Sequence, residues 1–199
     1  MRKYDFAHGM SKVIFGIGNL FKPTKVYGRE NIPRGPAVIC ANHVYNTDPF
    51  YIVTSFPRQE QVWIMAQEEI SHWPVVSSVL NWLGFIIWVK RGKADVGAVK
   101  SALKALTGGD KLLIFPEGTS NDEIGDGKTG AAMMAIRSKV PIIPVHISTQ
   151  RGLFTPVRIH IGEAYLPFTE DRKATTDDYQ AATDVLMEKI KALGGEEAP

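Results

Sequence analysis

Lys111-Leu112-Leu113-Ile114-Phe115-Pro116-Glu117-Gly118-Thr119 carries the reading of the fold. From Leu112 to Phe115 every residue is apolar. Such a run is too short for a helix and has no polar alternation, as expected of a central strand covered on both faces. Helical periodicity precedes it over 94–107 and follows it over 128–138. A second continuous run, Pro141-Ile142-Ile143-Pro144-Val145, comes next. Outward from this centre, β-rich runs fall at 36–41, 61–66, 85–90, 111–115, 142–147 and 157–161. Helical patterns fall at 49–56, 69–82, 94–107, 128–138 and 176–193. Strands alternating with helices predict an α/β domain, a mostly parallel central sheet flanked by helices. Val157-Arg158-Ile159-His160-Ile161 alternates instead, which predicts a half-exposed strand with His160 toward solvent.

Length and composition are consistent with one domain. The chain has 199 residues, 44% of them hydrophobic, and shows no repeat or low-complexity segment. Its net charge of +2 is too small to imply nucleic acid. A single cysteine excludes an internal disulfide and suits a reducing compartment. Cys40 lies within the apolar run Ala37-Val38-Ile39-Cys40-Ala41 and reads as a small core residue rather than a nucleophile.

The first 28 residues read as a separate segment, with the domain proper over 29–199. Phe6, Met10, Val13, Ile14, Ile17, Leu20 and Phe21 recur on one face of a helix, punctuated by Lys3, Lys12 and Lys22. With Arg2, Lys25, Arg29 and Arg34 the front end is basic. Two roles fit the periodicity: an interfacial helix on an anionic membrane surface, or a helix packed on the protein's own core. No run reads as a clear transmembrane helix, since the longest uncharged stretch, Trp73 to Val89, contains Pro74, Asn81 and Gly84.

Chemistry gathers where the predicted strands end, as ligand sites do in open parallel sheets. After strand 36–41 comes Asn42-His43-Val44-Tyr45-Asn46-Thr47-Asp48. Five residues along a helix rotate by about 140°, and along a strand they extend roughly 16 Å to the opposite face. Only a turn brings Asp48 back to His43, and Asn46, Thr47, Asp48 and Pro49 are turn and helix-start residues. An imidazole oriented by a carboxylate can act as a general base. The plainer alternative is Asp48 as the N-cap of a helix opening on Pro49, with His43 structural. Strand 111–115 delivers Glu117 beside Gly118, strand 85–90 delivers Lys90-Arg91-Gly92-Lys93, and Lys128 opens a helix start suited to a phosphate. His8, His72 and His146 have no evident partner.

Four blocks in order resemble the glycerolipid acyltransferases. Asn42-His43 with Asp48 resembles the family's N-H-x4-D word, and Phe115 to Thr119 resembles its F-P-E-G-T word. Val140-Pro141-Ile142-Ile143-Pro144-Val145 resembles its apolar V-P-I block, and Leu83-Gly84 through Arg91 its Gly-to-Arg block. Together they span about residues 31 to 148. The resemblance implies transfer of an acyl chain from a thioester to the free hydroxyl of 1-acyl-glycerol-3-phosphate, forming phosphatidic acid. His43 and Asp48 would be catalytic; Asn42, Arg91, Glu117, Gly118, Thr119 and Lys128 would bind substrate. No metal or cofactor is implied, with acyl-CoA or acyl carrier protein as co-substrate. The partners implied are a lysophospholipid and an anionic membrane, at the cytoplasmic side of the cell membrane, and no nucleic acid. Ser120 stands where many members carry Arg, and Gln67 where Lys is common. A different lysolipid or alcohol acceptor, a hydrolase and a silent lipid-binding module remain the alternatives.

Overall fold

The computed structural model describes residues 23–57, 59–68, 85–90, 95–117, 127–149, 155–168 and 170–195. The amphipathic segment 1–22, the helical pattern at 69–82, and Arg91, Gly118 and Thr119 lie outside the described residues. Seven strands form one sheet: β1 (Thr24–Tyr27), β2 (Ala37–Ala41), β3 (Val62–Gln67), β4 (Ile86–Val89), β5 (Lys111–Ile114), β6 (Ile142–Ile147) and β7 (Val157–Ile161). The helices are α1 (Asp48–Ser55), α2 (Val96–Thr107), α3 (Gly130–Ser138) and α4 (Thr176–Gly195). The strand order is β1-β7-β6-β2-β5-β3-β4. Every pairing is parallel except β6 with β7.

The all-apolar strands occupy the middle because only there are both faces covered. All five residues of β2 are buried between β5 and β6. Its odd-numbered side, Ala37, Ile39 and Ala41, packs with Ile143, Val145 and Ile147, with Ile52 and Val53 of α1, and with Phe56 just after that helix. Its other side, Val38 and Cys40, packs with Ala98, Ala102 and Leu106 of α2, Met134 and Ala135 of α3, and Leu186 and Ile190 of α4. The chain leaves β2 through α1 toward β3, and leaves β5 through α3 in the opposite direction toward β6. Right-handed crossovers running opposite ways lie on opposite faces, as α1 and α3 do. The carboxyl ends of β2 and β5 therefore flank a topological switch point, where a crevice opens.

Two expectations are corrected. Residues 24–27, read as part of the N-terminal segment, form β1 in register with β7, Thr24 opposite Val157 and Tyr27 opposite His160. The sheet thus begins at Thr24. Chain return from β1 depends on Gly28 (φ 75°), where a Cβ would stand 2.0 Å from the Ile161 carbonyl oxygen. Because β1 covers one side of β7, that strand is not an edge, and His160 is 8% exposed rather than turned to solvent. Its ring stacks on Tyr27 at 4.7 Å between centroids.

His146 sits directly across from His160, with Gly194 of α4 close against its ring. Burial, aided by the neighbouring His160, pushes His146 down to about 4 from its ordinary 6.5. The folded state therefore resists a proton that the unfolded chain accepts. Stability is complete above about pH 6.5 and falls as the pH drops toward 4. Going from pH 7 to pH 5 is expected to cost about 2 kcal/mol through this group. Urea midpoints at the two pH values check it, since a His146→Leu variant should lose correspondingly less over the same step.

Candidate active site

The expected His43–Asp48 pair is brought together by a turn just after β2. β2 ends at Ala41, and the chain then leaves the sheet through Asn42 and His43. The Asp48 N–H donates to the Tyr45 carbonyl at 2.9 Å, closing a turn over residues 45–48. The Asp48 side chain closes the same turn from inside. Its Oδ2 accepts from the Val44 N–H at 2.8 Å and the Tyr45 N–H at 2.9 Å. It also lies 3.4 Å from His43 Nδ1. Two main-chain donors on one oxygen suit an ionised carboxylate and fix its position. Asp48 is fully buried, while 16% of the His43 side chain is exposed. The pair is looser than an ideal hydrogen bond. Nδ1–H directed at Asp48 leaves Nε2 as the basic nitrogen. Asp48 is thus not the N-cap of α1. That place belongs to Thr47, which makes no side-chain cap bond, and Asp48 opens the helix ahead of Pro49.

Asn42 has its side chain engaged within the sheet. Its side chain is buried. The amide Nδ2 donates to the Ile147 carbonyl at 3.0 Å, and Oδ1 accepts from the Ile147 N–H at 2.8 Å. The side-chain amide pairs like main chain and continues the β2–β6 ladder beyond Ala41, whose partner is Val145. His43 can then leave the sheet plane from a fixed point. The signal for this role spans 105 residues and is invisible to local pattern.

β5 supplies the opposite wall. The Phe115 ring stacks on the His43 imidazole, with centroids 4.1 Å apart and 26° between planes. Sequence reasoning missed this contact, although a period-two count places Phe115 on the Leu113 face, the face that also carries Ala41. Two residues on, Glu117 is buried to 6% exposure. The Lys128 N–H donates to the Pro116 carbonyl at 2.9 Å, so the start of α3 is tied to the Glu117 turn. Gly127 permits this approach, because a Cβ there would stand 2.8 Å from Met187 and Thr183 of α4. At the third strand end, Asp95 caps α2 through the Ala98 N–H (3.0 Å) and accepts from the Lys90 N–H (3.2 Å). These donors hold its carboxyl below the usual range. Lys90 and Asp95, the described residues on either side of 91–94, are thereby joined.

The structure thus joins His43, Asp48 and Phe115 at the ends of β2 and β5, with Glu117 two residues beyond Phe115 and Lys128 tied through its main chain to Pro116. Cys40 does not join them. It is fully buried on the helix-covered face, and burial pushes its thiol well above the ordinary range, which makes it inert as a nucleophile.

The profile of the acyltransferases matches residues 23–148, from β1 to just past β6. The chain belongs to the acyltransferase family. Among acyltransferase relatives, the 1-acyl-sn-glycerol-3-phosphate acyltransferase of Borreliella burgdorferi is 31% identical over 134 residues, 65% of this chain and 52% of the relative. The enzyme of that name from Bacillus subtilis is 29% identical over 204 residues, 96% of each chain. The chain spans about half the length of several other curated relatives, including those of Mycoplasma pneumoniae (48%) and Caenorhabditis elegans (48%). The crystal structure of the 1-acyl-sn-glycerophosphate acyltransferase from Thermotoga maritima superposes with a TM-score of 0.70 at 24% identity, covering 98% of this chain and 81% of that one. At that identity the superposition speaks for the acyltransferase fold. Among the described residues no helix is long and apolar enough to cross a membrane.

Proposed function

We propose that this acyltransferase moves an acyl chain from a thioester donor to the free hydroxyl of 1-acyl-glycerol-3-phosphate, giving phosphatidic acid. The observation that carries the reading is the His43–Asp48 pair, closed by the 45–48 turn at the switch point of the sheet. His43 Nε2 takes the hydroxyl proton as the acceptor oxygen bonds to the thioester carbonyl carbon. Collapse of the tetrahedral adduct breaks the C–S bond, and the imidazolium returns the proton to the departing thiolate. Asp48 keeps the ring in the required tautomer and stabilises the imidazolium, as the carboxylate of a serine hydrolase triad does. The acceptor's own hydroxyl is the nucleophile, so no acyl-enzyme forms. The names of the relatives support the choice of acceptor and donor class.

Arg91, Gly118, Thr119, Glu117 and Lys128 are proposed to hold the acceptor, with Arg91 and Lys128 on its phosphate. The donor is acyl-CoA or acyl carrier protein. The basic N-terminal segment is proposed to seat the enzyme on the anionic cytoplasmic face of the membrane, where its lipid substrate resides. A test that separates the two substrates is Arg91→Ala. Loss of one charge-assisted phosphate contact should raise the acceptor KM by roughly ten- to a hundred-fold with the donor KM unchanged. Equal changes in both constants, or none, would remove Arg91 from the phosphate site.

A further inference from the structure

Asp48 constrains the imidazole of His43 in one direction only. At 3.4 Å the Nδ1–Oδ2 contact is long for a hydrogen bond and fixes the position of one ring nitrogen rather than the tilt of the ring. Stacking acts at right angles to it. The Phe115 ring lies nearly parallel to the imidazole at a centroid distance of 4.1 Å and covers one of its faces. The two constraints have different origins. Asp48 follows His43 closely along the chain, whereas Phe115 comes directly after β5, whose Ile114 pairs with Cys40 of β2. Phe115 therefore ties the base to the turn that carries Glu117 two residues later. The electrostatics act in the same direction. An aromatic face carries the negative part of the ring quadrupole, so it attracts an imidazolium more than a neutral imidazole.

We propose that Phe115 is a positioning residue for the base: its ring holds the His43 imidazole in the orientation that serves proton transfer and stabilises the imidazolium formed during acyl transfer. The proposal rests on the reading of His43 as general base, and it deepens that reading. It gives the phenylalanine of the F-P-E-G-T word a function distinct from acceptor binding. It also makes a discriminating demand. An aliphatic side chain of similar bulk keeps the apolar cover but has no π face.

The experiment compares wild type with Phe115→Leu, Phe115→Met, Phe115→Tyr and His43→Ala, using acyl-CoA and lysophosphatidic acid as probes. Phe115→Leu is expected to lower kcat about ten- to thirty-fold with both KM values unchanged. Phe115→Tyr should restore most of the loss. Phe115→Met, more adaptable in packing, repeats the aliphatic test should the leucine variant fold poorly. A readout independent of turnover is the His43 ring-proton NMR resonance, assigned by its absence in His43→Ala. Ring current from Phe115 shifts it upfield in wild type, and the shift should vanish in the aliphatic variants. Aliphatic variants with wild-type kcat beside an inactive His43→Ala would overturn the proposal alone, as would a rise in KM without a fall in kcat, or no ring-current shift in wild type. An active His43→Ala would instead overturn the base assignment beneath it, an outcome read in a separate sample.

Discussion

His43→Ala is expected to lose acyl transfer by about a thousand-fold or more while keeping the wild-type fold. General base catalysis contributes about 10²- to 10⁴-fold. In the proposed reaction the acceptor hydroxyl depends on it, because an unaided alcohol is a weak nucleophile toward a thioester at neutral pH. Little packing is lost with the imidazole. His43 is half-buried in a turn whose closure depends on main-chain bonds and on Asp48 rather than on the imidazole. The denaturation midpoint should therefore move little. Asp48→Ala differs in kind, since that carboxylate also holds the Val44 and Tyr45 N–H groups and its loss loosens the turn itself. The check is a pair of measurements on His43→Ala, initial rate and urea midpoint. A rate within ten-fold of wild type would remove His43 from the chemistry.

Lys111→Ala is expected to be among the most destabilising single changes, at about 3–5 kcal/mol. Lys111 opens β5 at the end of the sheet opposite the active site, and it is fully buried. Its Nζ donates to the Pro33 carbonyl at 2.8 Å and to the Gly35 carbonyl, and pairs with Glu60 Oε2 at 2.6 Å. One ammonium thus satisfies two loop carbonyls and a carboxylate that is 20% exposed. Removing it leaves an uncompensated charge and two carbonyls without their donor, which costs far more than the pair is worth as a net interaction. For a chain of this size, 1 kcal/mol shifts the melting point by about 2–4 °C, so a fall of about 10 °C is expected. A Lys111→Met, Glu60→Gln double variant should recover part of the loss, because the stranded charge goes with the lysine. Thermal unfolding of the three proteins checks both statements, and a Lys111→Ala penalty under 1 kcal/mol would contradict them.

The strands that build the middle of the sheet were legible in the sequence for a physical reason. β2, β5 and β6 are covered on both faces, and each carries an apolar run, 37–41, 112–114 and 142–145, that marks such cover. β1 carried no such mark. Thr24-Lys25-Val26-Tyr27 is short and half polar, and its partner β7 lies 133 residues further along the chain, Thr24 pairing with Val157. The misreading of β7 follows from missing β1. Alternation of Val157, Arg158, Ile159 and His160 reads as one wet face, but β1 and α4 close around it and His160 ends up buried. In the site, His43 and Asp48 could be paired from spacing alone, since only a turn joins residues five apart. The roles of Asn42 and Phe115 could not be read in that way. Each depends on a neighbouring strand, Asn42 on β6 through Ile147 and Phe115 on the end of β2 through His43. Pairing between distant strands sets both contacts, and local pattern does not encode it.

The measurement that bears most directly on the central claim is transfer of a labelled acyl group from acyl-CoA by the full chain to lysophosphatidic acid. It is run beside lysophosphatidylcholine, a non-phosphate alcohol and a sample without acceptor. Labelled phosphatidic acid is expected with lysophosphatidic acid, little product from the other acceptors, and no release of free acid in their absence. Product formed preferentially from an acceptor lacking the phosphate monoester, or free fatty acid released at the same rate without acceptor, would contradict it.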